Sequence, residues 1–193
     1  MAIKSTYITD IDEKKLSLFD CGDSEYSTMS FFLRDEALAL HKDGTAFTKV
    51  YIDTDNNDAI VGYTSLKASC FQYTTCSHYS NEELLHVVPA VEIARFAIAT
   101  DYQGKLYAEE EQNYSEYVLF QALQDIMSLR DYAIGVKAAI LFSVNRPKQL
   151  HFYSKSGFLR LSEQYVFKST ENEDCVPMYM PLPDSSLELY DVS

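Results

Sequence analysis

Residues 91–98 read Val91-Glu92-Ile93-Ala94-Arg95-Phe96-Ala97-Ile98, apolar at nearly every position. A short run of this kind predicts a β-strand covered on both faces. Downstream, Tyr117–Arg130 carries Leu119, Leu123, Ile126 and Met127 on one stripe with Ala122 beside them, which predicts an amphipathic helix. Gly135 breaks that pattern, and Ala138–Val144 is a second wholly apolar strand. A buried strand, a helix and another buried strand predict a right-handed β-α-β crossover with parallel strands in a mixed sheet.

Working outward, a short helix is expected at 148–154 and a final strand near 176–182, completing an α/β domain. The tail from Pro183, DSSLELYDVS, is expected to fray. Upstream of residue 91, Met29, Phe32, Leu33, Ala37 and Leu40 recur at helical spacing, with Gly44 as the stop. Ala46–Asp53 and Ala59–Lys67 are β-rich and separated by Thr54-Asp55-Asn56-Asn57-Asp58, so they read as a hairpin or meander. The segment 69–89 is polar and its pattern assigns no element; a loop over the sheet, of the kind that carries substrate specificity, would fit it.

The chain has 193 residues, 47% of them of hydrophobic type, enough for one domain with its own core. Acidic residues outnumber basic ones 29 to 16, a formal net charge of −13. Binding to a phosphate backbone relies on Lys and Arg, so this balance disfavours nucleic acid. It favours a cationic small molecule or a basic amine, or it serves solubility alone. Cys21, Cys70, Cys76 and Cys175 form no CxxC pair and His41, His78, His86 and His151 are scattered, so no metal site is expected. The first residues lack an apolar signal core and no run reaches transmembrane length, which predicts a cytoplasmic protein with reduced thiols.

Three stretches resemble the GNAT (Gcn5-related) N-acetyltransferases: EIARFAIATDYQGK at 92–105, AAILFSVN at 138–145 and HFYSKSGF at 151–158. The last is close to the family's FY-x-K-x-GF ending. In the front half, FDCG at 19–22, FFLRDEALALHKDG at 31–44 and IVGYTSL at 60–66 are similar to acetyltransferase toxins of toxin–antitoxin pairs and their non-toxin relatives. The resemblance covers roughly residues 16–182. It implies a GNAT-like mixed β-sheet flanked by helices, with splayed central parallel strands. It also implies one acetyltransferase domain at 1–182, with an acidic tail at 183–193.

The resemblance further implies acetyl-CoA as acetyl donor and a primary amine on a small molecule or protein as acceptor. A homodimer stays open, and membrane association is not implied. Phe96, Ala97 and Ile98 would pair with the pantetheine arm. Gln103, Gly104 and Lys105 would meet the pyrophosphate, where loop amides and a helix start favour negative charge. The family loop reads Q/R-x-x-G-x-G/A, whereas this chain places Leu106 at the first glycine position and Ala108 at the last. Either the loop is longer than usual, or Asn113-Tyr114-Ser115 forms the turn with Ser115 as N-cap. Glu109-Glu110-Glu111 would repel a nearby pyrophosphate.

Tyr153 would protonate the departing thiolate, since a phenol is protonated at neutrality; otherwise it is a packed aromatic beside Phe152. Glu92 would be the base, directly or through water, or else the partner of a cation such as Arg95. Asn145 would bond the cofactor arm, although the gap to Tyr153 is one residue longer than the family's. Lys155 reads as a solvated cation. Two alternatives remain: a toxin acting on aminoacyl-tRNA, and a non-catalytic binding protein with a degenerate cofactor loop.

Overall fold

In the computed structural model, residues 2–22, 27–76, 83–107, 112–161, 165–166 and 174–182 are described. The chain divides into two compact units, one of Met1–Lys67 with Ile93–Leu123 and one of Ala68–Glu92 with Gln124–Ser193.

The first unit begins with β1 (Ile3–Tyr7), which runs antiparallel to β2 (Phe47–Asp53). Next comes α1 (Glu13–Ser17), capped by the Asp12 carboxylate on the Lys14 N–H at 2.9 Å. A helical run follows: α2 (Ser27–Phe31), a π-turn (Phe32–Glu36) and α3 (Ala37–Asp43). Phe32, Leu33 and Ala37 from the expected stripe are buried. Gly44 ends the run with φ 81°, a left-handed conformation in which glycine has no Cβ penalty. The expected hairpin is present: β2 pairs antiparallel with the start of β3 (Ala59–Cys76) across a turn where Asn57 and Asp58 both have φ 53°.

Segment 69–89 corrects the expectation of a loop. Its described residues lie in β3, which continues to Cys76, and in β4 (Glu83–Ile98). The reading failed most clearly at the start of β4. Leu84, Leu85, His86 and Val87 are consecutive and all exposed, so no apolar alternation marks the strand.

β3, β4 and α4 (Tyr114–Tyr132) each run through both units. In the second unit, β4 pairs in parallel with β5 (Ala138–Val144), the topology predicted from the two apolar runs. The ladder covers Ala90↔Ala138 to Glu92↔Ile140. β4 continues beyond it to Ile98 and β5 to Val144. α5 (Pro147–Lys155) packs on β5. β6 (Leu159–Arg160) and β5 both pair antiparallel with β8 (Cys175–Pro181), while β7 (Tyr165–Val166) pairs with β3. The sheet is therefore mixed. The helix α4 stripe is buried as its periodicity required, with Val118, Leu119, Ala122, Leu123, Ile126 and Met127 all at 4% exposure or less.

Among the described residues no helix is long and apolar enough to cross a membrane. The tail at 183–193 lies outside them.

Candidate active site

In the first unit, Ala97 and Ile98 at the end of β4 are buried and Phe96 packs against the same core. The neighbouring strand approaches so closely that a Cβ on Gly62 would meet the Ala97 carbonyl oxygen at 2.5 Å and the Ile98 Cδ1 at 2.8 Å. Only glycine fits there without moving backbone.

The loop after β4 is tied down on several sides. Ala99 N–H donates to the Val61 carbonyl at 2.8 Å. The turn Thr100–Tyr102 follows, in which Thr100 N–H donates to the Asp20 carbonyl at 2.9 Å. Gln103 Nε2 donates to the carbonyls of Cys21 at 2.7 Å and Ile98 at 2.9 Å. Its side-chain amide therefore braces the loop against the FDCG segment, while the residue as a whole stays exposed. That segment is itself held. Arg34 donates to the Phe19 carbonyl, and Cys21 N–H donates to Ser30 Oγ at 3.1 Å. Burial pushes the Cys21 thiol above the usual range, so it is a packing group and not a thiolate. FDCG, in the sequence a mark of the resemblance alone, is the loop's anchor in the structure.

Gly104 follows with φ 69°, again left-handed, and Lys105 is exposed. The N–H groups of Gln103 and Lys105 donate to Ala99 and Tyr102 carbonyls, which leaves the Gly104 N–H available among the described residues. A missing Cβ at Gly104 and a cation at Lys105 together suit a phosphate oxygen.

The start of α4 corrects the cap. Asn113, not Ser115, is the N-cap: its Oδ1 accepts from the Glu116 N–H at 3.0 Å, while Glu116 Oε2 accepts from the Asn113 N–H at 3.1 Å. This reciprocal pair is a capping box, and its N-x-x-E spacing stands in the sequence. Tyr114 N–H donates to the Lys105 carbonyl at 3.3 Å. Of the first-turn amides, Ser115 N–H alone among the described residues stays available for an anion. Ser115 itself is half-buried in that first turn. The helix start is thus largely satisfied by its own chain. Ala108 and Glu109–Glu111 lie outside the described residues.

In the second unit, Glu92 is 4% exposed and accepts a hydrogen bond from Ser69 Oγ at 3.3 Å. In the parallel register it stands opposite Ile140 of β5. Asn145 is exposed at the turn between β5 and α5, where the Arg146 N–H reaches back to the Val144 carbonyl at 2.7 Å. Tyr153 lies in the last turn of α5, with its ring centroid 5.1 Å from that of Phe152 and 5.9 Å from that of Phe158. Desolvation raises its phenol well above the ordinary tyrosine value, so the hydroxyl keeps its proton throughout the neutral range. β5 links the elements that carry Glu92 and Tyr153, because β4 pairs with it and α5 packs on it.

One signal escaped the composition argument. Residues 132–162 contain Lys137, Arg146, Lys148, Lys155 and Arg160 and no Asp or Glu. The whole-chain charge of −13 concealed a local basic segment around Tyr153. Lys148, Lys155 and Arg160 are exposed.

No family model matches the sequence, and no curated protein matches it. Solved structures do. The AtaT toxin in complex with acetyl-methionyl-tRNAfMet is 21% identical, with a TM-score of 0.69 over 98% of this chain and 99% of that one. AtaTR bound with AcCoA is 19% identical, with a TM-score of 0.66 over 98% of this chain and 97% of that one. A mutant of the KacT toxin is 17% identical, with a TM-score of 0.70 over the full length of both. At these identities the likeness establishes architecture. The GNAT-like mixed sheet with helices, expected from the motifs, is the fold this chain shares with these toxins across nearly its whole length.

Proposed function

We propose that the chain is an acetyl-CoA-dependent N-acetyltransferase acting on a primary amine of a small molecule or protein. The observation that carries this reading is Tyr153, half-buried with its ring against those of Phe152 and Phe158, set in the HFYSKSGF segment of a fold shared with a toxin bound to AcCoA. Acyl transfer needs a positioned thioester, a deprotonated amine and a proton for the leaving sulfur. In this reading the Gly104 N–H and the Lys105 ammonium receive the pyrophosphate, and the backbone of Phe96–Ile98 receives the pantetheine arm. Asn145 adds a hydrogen bond to that arm. Glu92 accepts the amine proton, directly or through water, as the new N–C bond forms. As the C–S bond breaks, Tyr153 gives its proton to the sulfur and regains one from solvent.

Calorimetric titration with acetyl-CoA, followed by thiol release on an amine panel, tests this function. Saturable binding and acceptor-dependent thiol release support it. Absence of binding would leave a non-catalytic module.

A second acceptor, aminoacyl-tRNA, is favoured by one feature. The acid-free segment 132–162 supplies five cations, which the total charge had argued against, and AtaT has been solved with an acetylated aminoacyl-tRNA. Phosphate contacts from Lys148, Lys155 and Arg160 would make tRNA binding strongly salt-dependent. Acetylation of aminoacyl-tRNA that persists unchanged when all three are replaced by Gln would exclude this role for them.

A further inference from the structure

Deep in the first unit, Asp53 at the end of β2 is fully buried, an expensive place for a carboxylate without partners. Its partners are specific. Tyr102 Oη donates to Asp53 Oδ2 at 3.1 Å, and the Asp55 N–H donates to Asp53 Oδ1 at 3.2 Å. Tyr102 Oη in turn accepts from Asn56 Nδ2 at 3.0 Å. Asn56 is presented by the β2–β3 turn, whose next two residues are left-handed and whose Asn56 N–H closes on the Asp53 carbonyl at 3.1 Å.

Tyr102 belongs to the loop that follows β4. Its carbonyl accepts from the Lys105 N–H at 3.4 Å, its N–H holds the Ala99 carbonyl at 2.8 Å, and its ring meets that of Tyr114 edge-on at 5.0 Å. Tyr114 is the first residue of α4 and donates its N–H to the Lys105 carbonyl. One side chain, 6% exposed, thus joins the hairpin turn, the loop and the helix start. Hydrophobic packing alone would bury a Phe there equally well. The hydroxyl and the buried acid add direction, and direction is what a backbone site for phosphate needs.

We propose that Asp53 and Tyr102 are positioning residues that fix the Gly104–Lys105 segment for the pyrophosphate of acetyl-CoA. The inference rests on the acetyltransferase reading above and assigns its donor-binding loop a dedicated brace. It predicts a defect selective for the phosphate-bearing half of the donor. Two ligands separate the cases: acetyl-CoA, and S-acetylpantetheine, which has the thioester arm but no pyrophosphate.

Tyr102→Phe is expected to weaken acetyl-CoA binding about tenfold, as befits one lost buried hydrogen-bond pair. S-acetylpantetheine should bind it within about twofold of the wild type on the same grounds. Asp53→Asn keeps an acceptor for the Tyr102 hydroxyl and should retain most of the acetyl-CoA affinity. Asn56→Ala, which removes one contact only, should give a smaller loss with the same selectivity, and it serves if Tyr102→Phe does not fold. Equal weakening of both ligands, or of neither, in a wild type that binds acetyl-CoA would overturn the brace alone. A wild type that binds neither ligand would overturn the acetyltransferase reading and the brace with it.

Discussion

Around Gln103 the chain is held by polar contacts that reach across the sequence, to Cys21, Asp20, Asp53 and Val61. Around Tyr153 it is held by its own helix and by two neighbouring aromatic rings. The first arrangement fixes backbone and, among the described residues, leaves an available amide at Gly104 beside an exposed cation at Lys105. The second buries a hydroxyl and raises its pKa. On the proposed function, the first region would hold phosphate, which needs fixed donors, and the second would give up a proton, which needs a hydroxyl protonated at rest and able to lose it. The two regions differ in the way those two tasks differ.

The comparison breaks most sharply at Tyr153. Tyr153→Phe should lower kcat about a hundredfold, the low end for a general acid, because a thiol leaves with modest help. Acetyl-CoA affinity should be unchanged by calorimetry, and the ring should still pack. Unchanged turnover with chemistry rate-limiting would make Tyr153 a packing residue. The raised phenol pKa adds a sign. Because burial raises the phenol, the folded chain keeps this proton past the ordinary tyrosine range, whereas folding stability begins to fall once pH passes that ordinary value, where the unfolded chain ionises first, and continues to fall until the raised value is reached. No alkaline limb from Tyr153 should therefore appear in the kcat profile between about pH 7 and 10.

Gly62→Ala tests the opposite region. The new methyl would strike the Ala97 carbonyl at 2.5 Å, so about 2–3 kcal/mol of stability should be lost in denaturant unfolding. A neutral Gly62→Ala would mean that the strands give way and the loop's foundation is soft.

Lys105→Glu should weaken acetyl-CoA about fivefold or more, and Lys155→Glu should do less, since exposed charges each contribute roughly 0.3–1 kcal/mol. Reversed effects would move the pyrophosphate to the α5 segment. The smallest effect is expected at the cap. Asn113→Ala should cost about 1 kcal/mol in thermal or denaturant unfolding.

Much of this architecture was legible because apolar runs and helical stripes are local. Val91–Ile98, Ala138–Val144 and the α4 stripe each announce themselves within a few residues. Gly44 marked the end of a helix by the conformation it alone adopts cheaply. β1 was missed because Ile3–Tyr7 is a short, mostly exposed strand with too little apolar content to show a face. The strand at the start of β4 escaped the reading because consecutive residues such as Leu84 and Leu85 are all exposed and show no period. At the candidate site, HFYSKSGF singled out Tyr153 and the loop run singled out Gln103, whose side chain donates to the Cys21 and Ile98 carbonyls, contacts that no local pattern encodes. The N-x-x-E cap at Asn113 stands in the sequence, but Ser115 in the same turn is also a favoured N-cap residue, and only the Glu116 partner tells the two apart. The contact of Tyr102 with Asp53 joins residues 49 apart in the chain, and no local pattern encodes it.

The most direct measurement is a calorimetric titration of acetyl-CoA into the wild-type chain and into Lys105→Glu. Saturable one-to-one binding, weakened by the charge reversal, is what a donor site at Gly104–Lys105 predicts. Saturable binding indifferent to Lys105, or no binding at millimolar donor, would contradict it.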